Sequence, residues 1–142
     1  MTRTETRQLA FELLYSLEIQ KIDKEEYEEQ IDIFLQEQNI EQPKVKEYII
    51  QTVYGILEHQ EEILTLISQN LKEKWEISRI SKVNLVLLKL AVYEMIYVKL
   101  PYKVVVNEVV ELAKKYGDDT SPSFINGILA NIIKQAGITD NE

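Results

Sequence analysis

The sequence predicts an all-α protein of about seven helices, packed as two bundles of the three-helix type. Apolar residues recur at intervals of three and four positions along most of the 142 residues, as expected for helices with one buried face. Four glycines and three prolines are too few for the turns of an all-β domain. Apolar residues make up 45% of the chain, which argues against disorder. We interpret residues 1–142 as one helical domain, with an N-terminal half at about 1–72 and a C-terminal half at about 73–142.

The N-terminal half contains three amphipathic stretches. The first covers residues 4–20, and the second covers residues 25–38 with Asp23 as its candidate N-cap. The third begins at Pro43, a residue that suits the first turn of a helix. Gly55 is a candidate point of division of this long stretch into two helices.

The C-terminal half begins with a connector at 77–81, in which Ser78 or Ser81 is suited to cap the next helix. The segment from residue 83 to about 99 is apolar on nearly all sides, which is typical of a buried central helix.

Two further helices follow. Three valines at 104–106 favour a strand locally, but helical spacing continues to Tyr116 and predicts a helix that ends at Gly117. Ser121 and Pro122 have the pattern of an N-cap and a first-turn proline. Gly137 is expected to end this last helix before a polar tail.

The composition excludes several kinds of catalytic and metal site. The chain has no cysteine, so disulfides, thiolate nucleophiles and cysteine-ligated metals are excluded. The single histidine, His59, has Glu62 as its one suitably spaced neighbour, and we interpret it as a surface helix residue. No glycine-rich phosphate loop precedes a helix. We therefore expect neither an enzyme nor a bound cofactor or metal.

The first residues show no apolar segment of the signal-peptide type. The most apolar run, residues 83–98, is interrupted by Asn84, Lys89 and Glu94 and is a poor membrane span. We expect a soluble, cytoplasmic protein with no membrane partner.

The acidity of the chain is local. The formal net charge is -8 and the pI is about 4.8, which at first suggests a poor nucleic-acid binder. Residues 18–41, however, hold nine acidic and two basic side chains, whereas residues 71–142 hold nine acidic and ten basic ones. The charge balance therefore does not exclude RNA.

A candidate binding face begins on the first helix. Arg3 and Arg7 are four residues apart and are expected to project to the same side, and Phe11 and Tyr15 continue that row. Guanidinium groups beside aromatic rings suit phosphates and unstacked bases. The alternative is that both rings border the core and the arginines are ordinary surface residues, and the spacing leaves both interpretations open.

The second half offers two weaker signals. Lys114 and Lys115 fall in the last turn of a helix, where cations complement the helix dipole without any ligand. The helix that opens at Ser121 offers backbone N–H groups to anions, although Asp118 and Asp119 compete for the same position.

The C-terminal half carries a specific series of residues. It runs through Leu100–Val104, Asn107-Glu108, residues 111–117 and residues 124–129. This series resembles the NusB family of bacterial transcription antitermination proteins. Arg7 with Ala10 and Leu14-Tyr15, together with residues 90–94, extends the resemblance over essentially the whole chain.

The resemblance implies a fold of two helical bundles and RNA binding at the boxA element of ribosomal RNA leaders. It also implies a heterodimer with NusE, a small-subunit ribosomal protein, and a link to RNA polymerase through other Nus factors. Some members of the family self-associate as homodimers instead.

The resemblance places RNA contacts at six positions, namely Arg3, Arg7, Tyr15, Thr120, Ser121 and Phe124. It places a partner contact at Asn84. Phe124 is suited either to stacking on a base or to packing in the protein, and both alternatives remain open.

Thr4 and Glu5 stand where members of the family are often basic, so we expect weak RNA binding alone and dependence on a basic partner. The alternative function is a purely protein-binding helical module or homodimer with little RNA affinity of its own.

Overall fold

The computed structural model describes residues 1–72 and 76–139, and within these ranges the regular structure is helical. Seven α-helices are present there, which confirms the predicted fold class. They are α1 (Arg3–Ile19), α2 (Tyr27–Glu37), α3 (Pro43–Glu58), α4 (Gln60–Gln69), α5 (Lys82–Val92), α6 (Tyr102–Tyr116) and α7 (Ser121–Ala136). Short 3₁₀ turns at Lys24–Glu26 and Ile77–Arg79 precede α2 and α5.

The start of α1 is fixed by a reciprocal cap. The side chain of Thr2 accepts a hydrogen bond from the Glu5 N–H, and the Glu5 side chain accepts one from the Thr2 N–H. This capping box satisfies two N–H groups that have no partner within the helix. It holds the first turn of α1, which carries Arg3, in a defined orientation.

The long third stretch divides later than predicted. Gly55 lies within α3, and the chain bends at His59, which separates α3 from α4. Gly55 has a packing role instead, because a Cβ at this position would overlap the ring of Tyr93.

The central helix is α5, in which nine consecutive residues from Asn84 to Val92 are buried. Ser81 caps it by accepting a hydrogen bond from the Asn84 N–H at 3.1 Å. A π-helical segment, Tyr93–Val98, continues α5 and ends at Lys99, which adopts a left-handed conformation with φ of 65°. The expected helix over 83–99 therefore consists of two parts with different winding.

Among the described residues, the buried apolar side chains form two clusters. The first lies among α1, α2 and α3 and includes Ala10, Leu13 and Ile49. The second surrounds α5 and draws residues from α4, α6 and α7. Phe11 of α1 and Ile56 of α3 belong to this second cluster, so these two helices contribute to both clusters.

The predicted boundary between the two halves meets residues 73–75, which lie outside the described residues, as do residues 140–142 of the predicted polar tail. Although α4 precedes that boundary, Ile63 and Ile67 pack in the second cluster. Within the described ranges, no helix is both long enough and apolar enough to cross a membrane.

Candidate nucleic-acid interface

An open groove lies between α1 and α6. It has a volume of about 380 Å³, and we call it the α1–α6 groove. Its lining residues are Thr4, Arg7, Gln8, Glu108, Glu111, Leu112, Lys114 and Lys115. Thr4 contacts Glu108 and Gln8 contacts Lys115, which shows that the two helices run side by side in the same direction.

Lysine side chains line the C-terminal end of the groove. Lys114 and Lys115 are both exposed. The Lys114 ammonium lies 2.8 Å from Glu111, and the Lys115 ammonium donates to the side-chain oxygen of Gln8 at 3.0 Å. These contacts are at the surface, where ion pairs contribute little to stability. Both ammonium groups are therefore available to an anionic ligand at small cost. Arg3, the first residue of α1, is also exposed.

Arg7 differs from the sequence expectation. Its side chain is only 2% exposed, so it does not share an open surface with Arg3. Its Nε lies 2.8 Å from the Glu94 carboxylate and its Nη1 lies 3.0 Å from Glu108. The guanidinium thus joins α1 to the π-helical segment and to α6.

The charges around Arg7 form a closed network. Burial alone would lower the pKa of the Arg7 guanidinium, but the carboxylates of Glu94 and Glu108 more than compensate and raise that pKa. The Tyr48 hydroxyl donates to the second oxygen of Glu94 at 2.5 Å. Burial, together with Glu94, raises the pKa of Tyr48 far above its ordinary value, so its hydroxyl remains a donor.

Aromatic rings lie between α1 and the end of α6. The Phe11 ring is 4.9 Å from the Tyr116 ring and 5.9 Å from the Tyr15 ring. Phe11 is buried, whereas Tyr15 and Tyr116 are partly exposed. Tyr116 donates its hydroxyl to Glu12, and burial together with this carboxylate raises the pKa of Tyr116 to about 12. Phe11 therefore borders the core, and Tyr15 and Tyr116 offer ring surface.

The loop between α6 and α7 is organised by Asp118. One carboxylate oxygen accepts hydrogen bonds from the N–H groups of Thr120 and Ser121 at 2.8 and 3.1 Å and from the Thr120 hydroxyl at 2.7 Å. These bonds lower the pKa of Asp118. The N–H groups of Thr120 and Ser121 at this helix start are thus occupied by the protein itself. Ser121 is buried and is the first residue of α7, while Thr120 is exposed.

Gly117 is required by a close approach of α7. A Cβ at position 117 would overlap the Ser121 side chain. Its φ of -92° is not left-handed, so it does not end α6 in the conformation that is typical of a C′ glycine.

Phe124 lies one turn into α7, partly buried and packed against the second apolar cluster. This half-buried position is compatible both with stacking on a base and with packing in the protein.

Asn84, the expected partner contact, lies in the first turn of α5 and is 8% exposed. Its Oδ1 is buried and has no hydrogen-bond donor in the part of the chain that the structure describes. A buried acceptor without a donor is unfavourable and uncommon.

Local spacing in the sequence indicates Lys115, Tyr116 and the acceptors of Arg7 only weakly. Arg7 itself stands three residues before Ala10 and seven before Leu14, which is the apolar side of α1. That spacing is the signal for its burial. The pairing with Glu94 and Glu108, more than 80 residues away, has no counterpart in local periodicity.

No group of three or more histidine, aspartate or glutamate side chains is arranged to hold a metal ion in residues 1–72 or 76–139. The surface is instead a set of cations, ring faces and loop polar groups around a groove, which suits a binding function.

Comparisons with known proteins find the same family over most of the chain. The family model described as "NusB family" matches residues 4–134. The transcription antitermination protein NusB of Acetivibrio thermocellus is 44% identical over 135 residues, which cover 94% of this chain and 90% of that protein.

Two solved structures are similar throughout. NusB of T. maritima superposes with a TM-score of 0.82 at 33% identity, covering 95% of this chain and 92% of that one. A chain of the crystal structure of antitermination factors NusB and NusE in complex with dsRNA gives a TM-score of 0.82 at 30% identity, covering 95% and 99%.

Proposed function

The chain belongs to the NusB family, and on that premise we propose that it binds RNA in the α1–α6 groove together with a NusE-type ribosomal protein. Membership makes it a transcription antitermination protein and not an enzyme. The further proposal is that the RNA is a boxA-like single-stranded element, and that the complex joins RNA polymerase in the cytoplasm through other Nus factors. A similar solved structure contains NusB, NusE and RNA together, which supports the choice of partners.

The observation that carries the RNA proposal is the position of two exposed lysines close to partly exposed aromatic rings. Lys114 and Lys115 line the groove, Tyr116 follows them in the chain, and the Phe11 ring lies between the Tyr116 and Tyr15 rings. Phosphates bind to exposed cations, and unstacked bases bind to aromatic faces. Of the residues expected from the sequence, Arg3, Tyr15, Thr120 and Phe124 remain in this proposal as contacts, and Ser121 as a residue that shapes the loop.

The proposed contribution of the protein partner is positive charge. The segment 18–41 is strongly acidic and its charged residues lie at the surface, apart from half-buried Glu18. Complementary charge steers association and raises the association rate. A basic partner docked near this surface supplies phosphate contacts that the chain lacks.

Asn84 is proposed as part of the partner contact because its Oδ1 lacks a donor. The side chain must rotate to reach a partner, since this oxygen is inaccessible in the isolated chain. Asn84→Leu separates the possibilities. Weaker NusE binding with an intact fold supports the contact, whereas unchanged binding with a more stable fold shows that Asn84 is only an unsatisfied core residue.

The test of the function is fluorescence anisotropy with a labelled boxA-like RNA and a scrambled RNA, each with and without NusE. We expect weak binding alone and at least about tenfold tighter binding of the boxA-like RNA with NusE, since added cationic contacts release more counterions. Equal, weak affinity for both RNAs in the presence of bound NusE would contradict the proposal and favour a purely protein-binding module.

A further inference from the structure

Glu108 presents a carboxylate to the groove in which RNA is proposed to bind. It lies on the same face of α6 as Glu111 and Lys115, at i, i+3 and i+7. It is 18% exposed, so its charge acts on the groove as well as on the interior. A carboxylate among the phosphate-binding lysines opposes the approach of RNA.

The Glu108 carboxylate is held from the α1 side by two donors. Arg7 Nη1 lies 3.0 Å from its Oε1, and the Thr4 hydroxyl donates to the same oxygen at 2.7 Å. Both donors belong to α1, one turn apart. The carboxylate is therefore fixed at the wall of the groove, with the guanidinium on its inner side.

From this arrangement we propose that Arg7 is a positioning residue, which holds the Glu108 carboxylate against α1 so that the lysines of the groove can accept phosphate. The proposal rests on the proposed RNA function. Arg7 acts through Glu108 and makes no phosphate contact of its own, because its side chain is only 2% exposed.

The remaining charges of the groove show why the position of the Glu108 carboxylate matters. Glu111 is already paired with Lys114 at 2.8 Å, which leaves Lys115 as the cation with a neutral partner, Gln8. Lys115 stands two helical turns from Glu108, a rise of about 10 Å. This separation is comparable to the Debye length of about 10 Å at 0.1 M salt, so a Glu108 carboxylate that is released toward Lys115 repels a phosphate bound there.

The experiment is a double-mutant cycle on RNA affinity. Arg7→Met, Glu108→Gln and the double variant are compared with wild type, all bound to NusE and all shown to be folded by circular dichroism. If Arg7 acts by holding the Glu108 carboxylate in place, the carboxylate moves toward the lysines when Arg7 is lost. Glu108→Gln then raises the affinity at least about fivefold more in the Arg7→Met background than in wild type. If Arg7 contacts phosphate instead, Glu108→Gln raises the RNA affinity by the same factor in both backgrounds, and this result overturns the proposal.

Salt distinguishes the electrostatic effect from a distorted fold. The excess gain should fall below about twofold at 0.5 M salt, where the Debye length is about 4 Å. An excess gain that stays constant with salt indicates a packing defect and overturns the proposal. Glu61→Gln, at an exposed position on α4 outside both the groove and the segment 18–41, is the control for a general change in net charge.

A second background covers the case in which Arg7→Met does not fold, because that variant leaves the buried Glu94 carboxylate unpaired. Arg7→Met combined with Glu94→Gln removes both charges, and the Glu108→Gln gain is measured in it with the same expectations. Failure of wild type with NusE to bind RNA at all contradicts the proposed function. RNA binding with additive effects contradicts the role of Arg7 alone.

Discussion

Charged side chains connect the two apolar clusters at two places, and the two differ in how completely they exclude water. At the first, the Arg7 junction, Arg7 and Glu94 are 2% and 1% exposed, and Tyr48 and Glu108 complete the contacts. At the second, the Lys89 junction, the Lys89 ammonium lies 3.0 Å from Glu18 and 3.3 Å from the side-chain oxygen of Gln60. The side chain of Glu18 is 26% exposed.

The space around the two junctions also differs. The Lys89 junction borders a small cavity of about 40 Å³, lined mainly by apolar side chains, which has room for about one water molecule. The Arg7 junction reaches solvent through Glu108 at the α1–α6 groove.

The comparison shows what the choice of cation achieves. The planar guanidinium of Arg7 bonds to two carboxylates on different elements at once, whereas the Lys89 ammonium is a point charge. Arginine therefore suits the junction that must fix a carboxylate at the wall of a ligand groove.

The largest effect is expected from removing the cation of the Arg7 junction. Arg7→Met leaves Glu94 buried without a counter-ion and should lower the free energy of unfolding by about 3–5 kcal/mol. Urea denaturation measures this loss. Arg3→Met, at an exposed position on the same helix, is the control and should change stability by less than about 0.5 kcal/mol. A loss below about 1 kcal/mol for Arg7→Met would show that water reaches Glu94.

A smaller loss is expected at the Lys89 junction. Lys89→Met should lower the free energy of unfolding by about 1–2 kcal/mol, because Glu18 remains partly hydrated and Lys82 lies 3.7 Å from it. The same urea experiment at low and high salt checks this prediction. A loss equal to that of Arg7→Met would remove the distinction between the junctions.

The smallest effect concerns alkaline pH. The pKa of Tyr48 is raised in the folded protein, so the folded state retains its proton where the unfolded state loses it. This contribution to stability is complete below the ordinary tyrosine pKa of 10.0 and declines as the pH rises above it. Wild type should therefore lose more stability than Tyr48→Phe between about pH 9 and 11. Parallel losses in the two proteins would mean that Tyr48 ionises while folded.

Local pattern was sufficient for most of the fold. The spacing through Val105, Val109 and Tyr116 predicts α6 in spite of three consecutive valines, and Ser81 is suited as the cap of α5. The division at His59 was not predictable from Gly55, because that glycine accommodates the Tyr93 ring from a distant helical segment.

The candidate site was less predictable. The i, i+4 spacing of Arg3 and Arg7 indicates that both project to the same side of the helix. One side of a helix, however, can contain an exposed residue and also a residue at the edge of the buried face. Which of the two Arg7 occupies depends on Glu94 and Glu108, and these come from elements that only the folded chain brings to α1. Likewise, the sequence at the start of α7 has the pattern of an anion-binding site. In the folded chain, however, the Asp118 carboxylate accepts a hydrogen bond from the Ser121 N–H group.

The central claim is that exposed lysines of the α1–α6 groove bind RNA phosphates. It is tested most directly by the salt dependence of boxA-like RNA affinity, with NusE, for wild type and Lys114→Gln/Lys115→Gln. Lys44→Gln/Lys134→Gln, exposed and outside both the groove and the segment 18–41, is the matched control. The account predicts that the slope of log Kd against log salt becomes shallower by about 1.4 in the groove variant, since each phosphate contact to a single strand contributes about 0.7. A slope equal to wild type in the groove variant would contradict it.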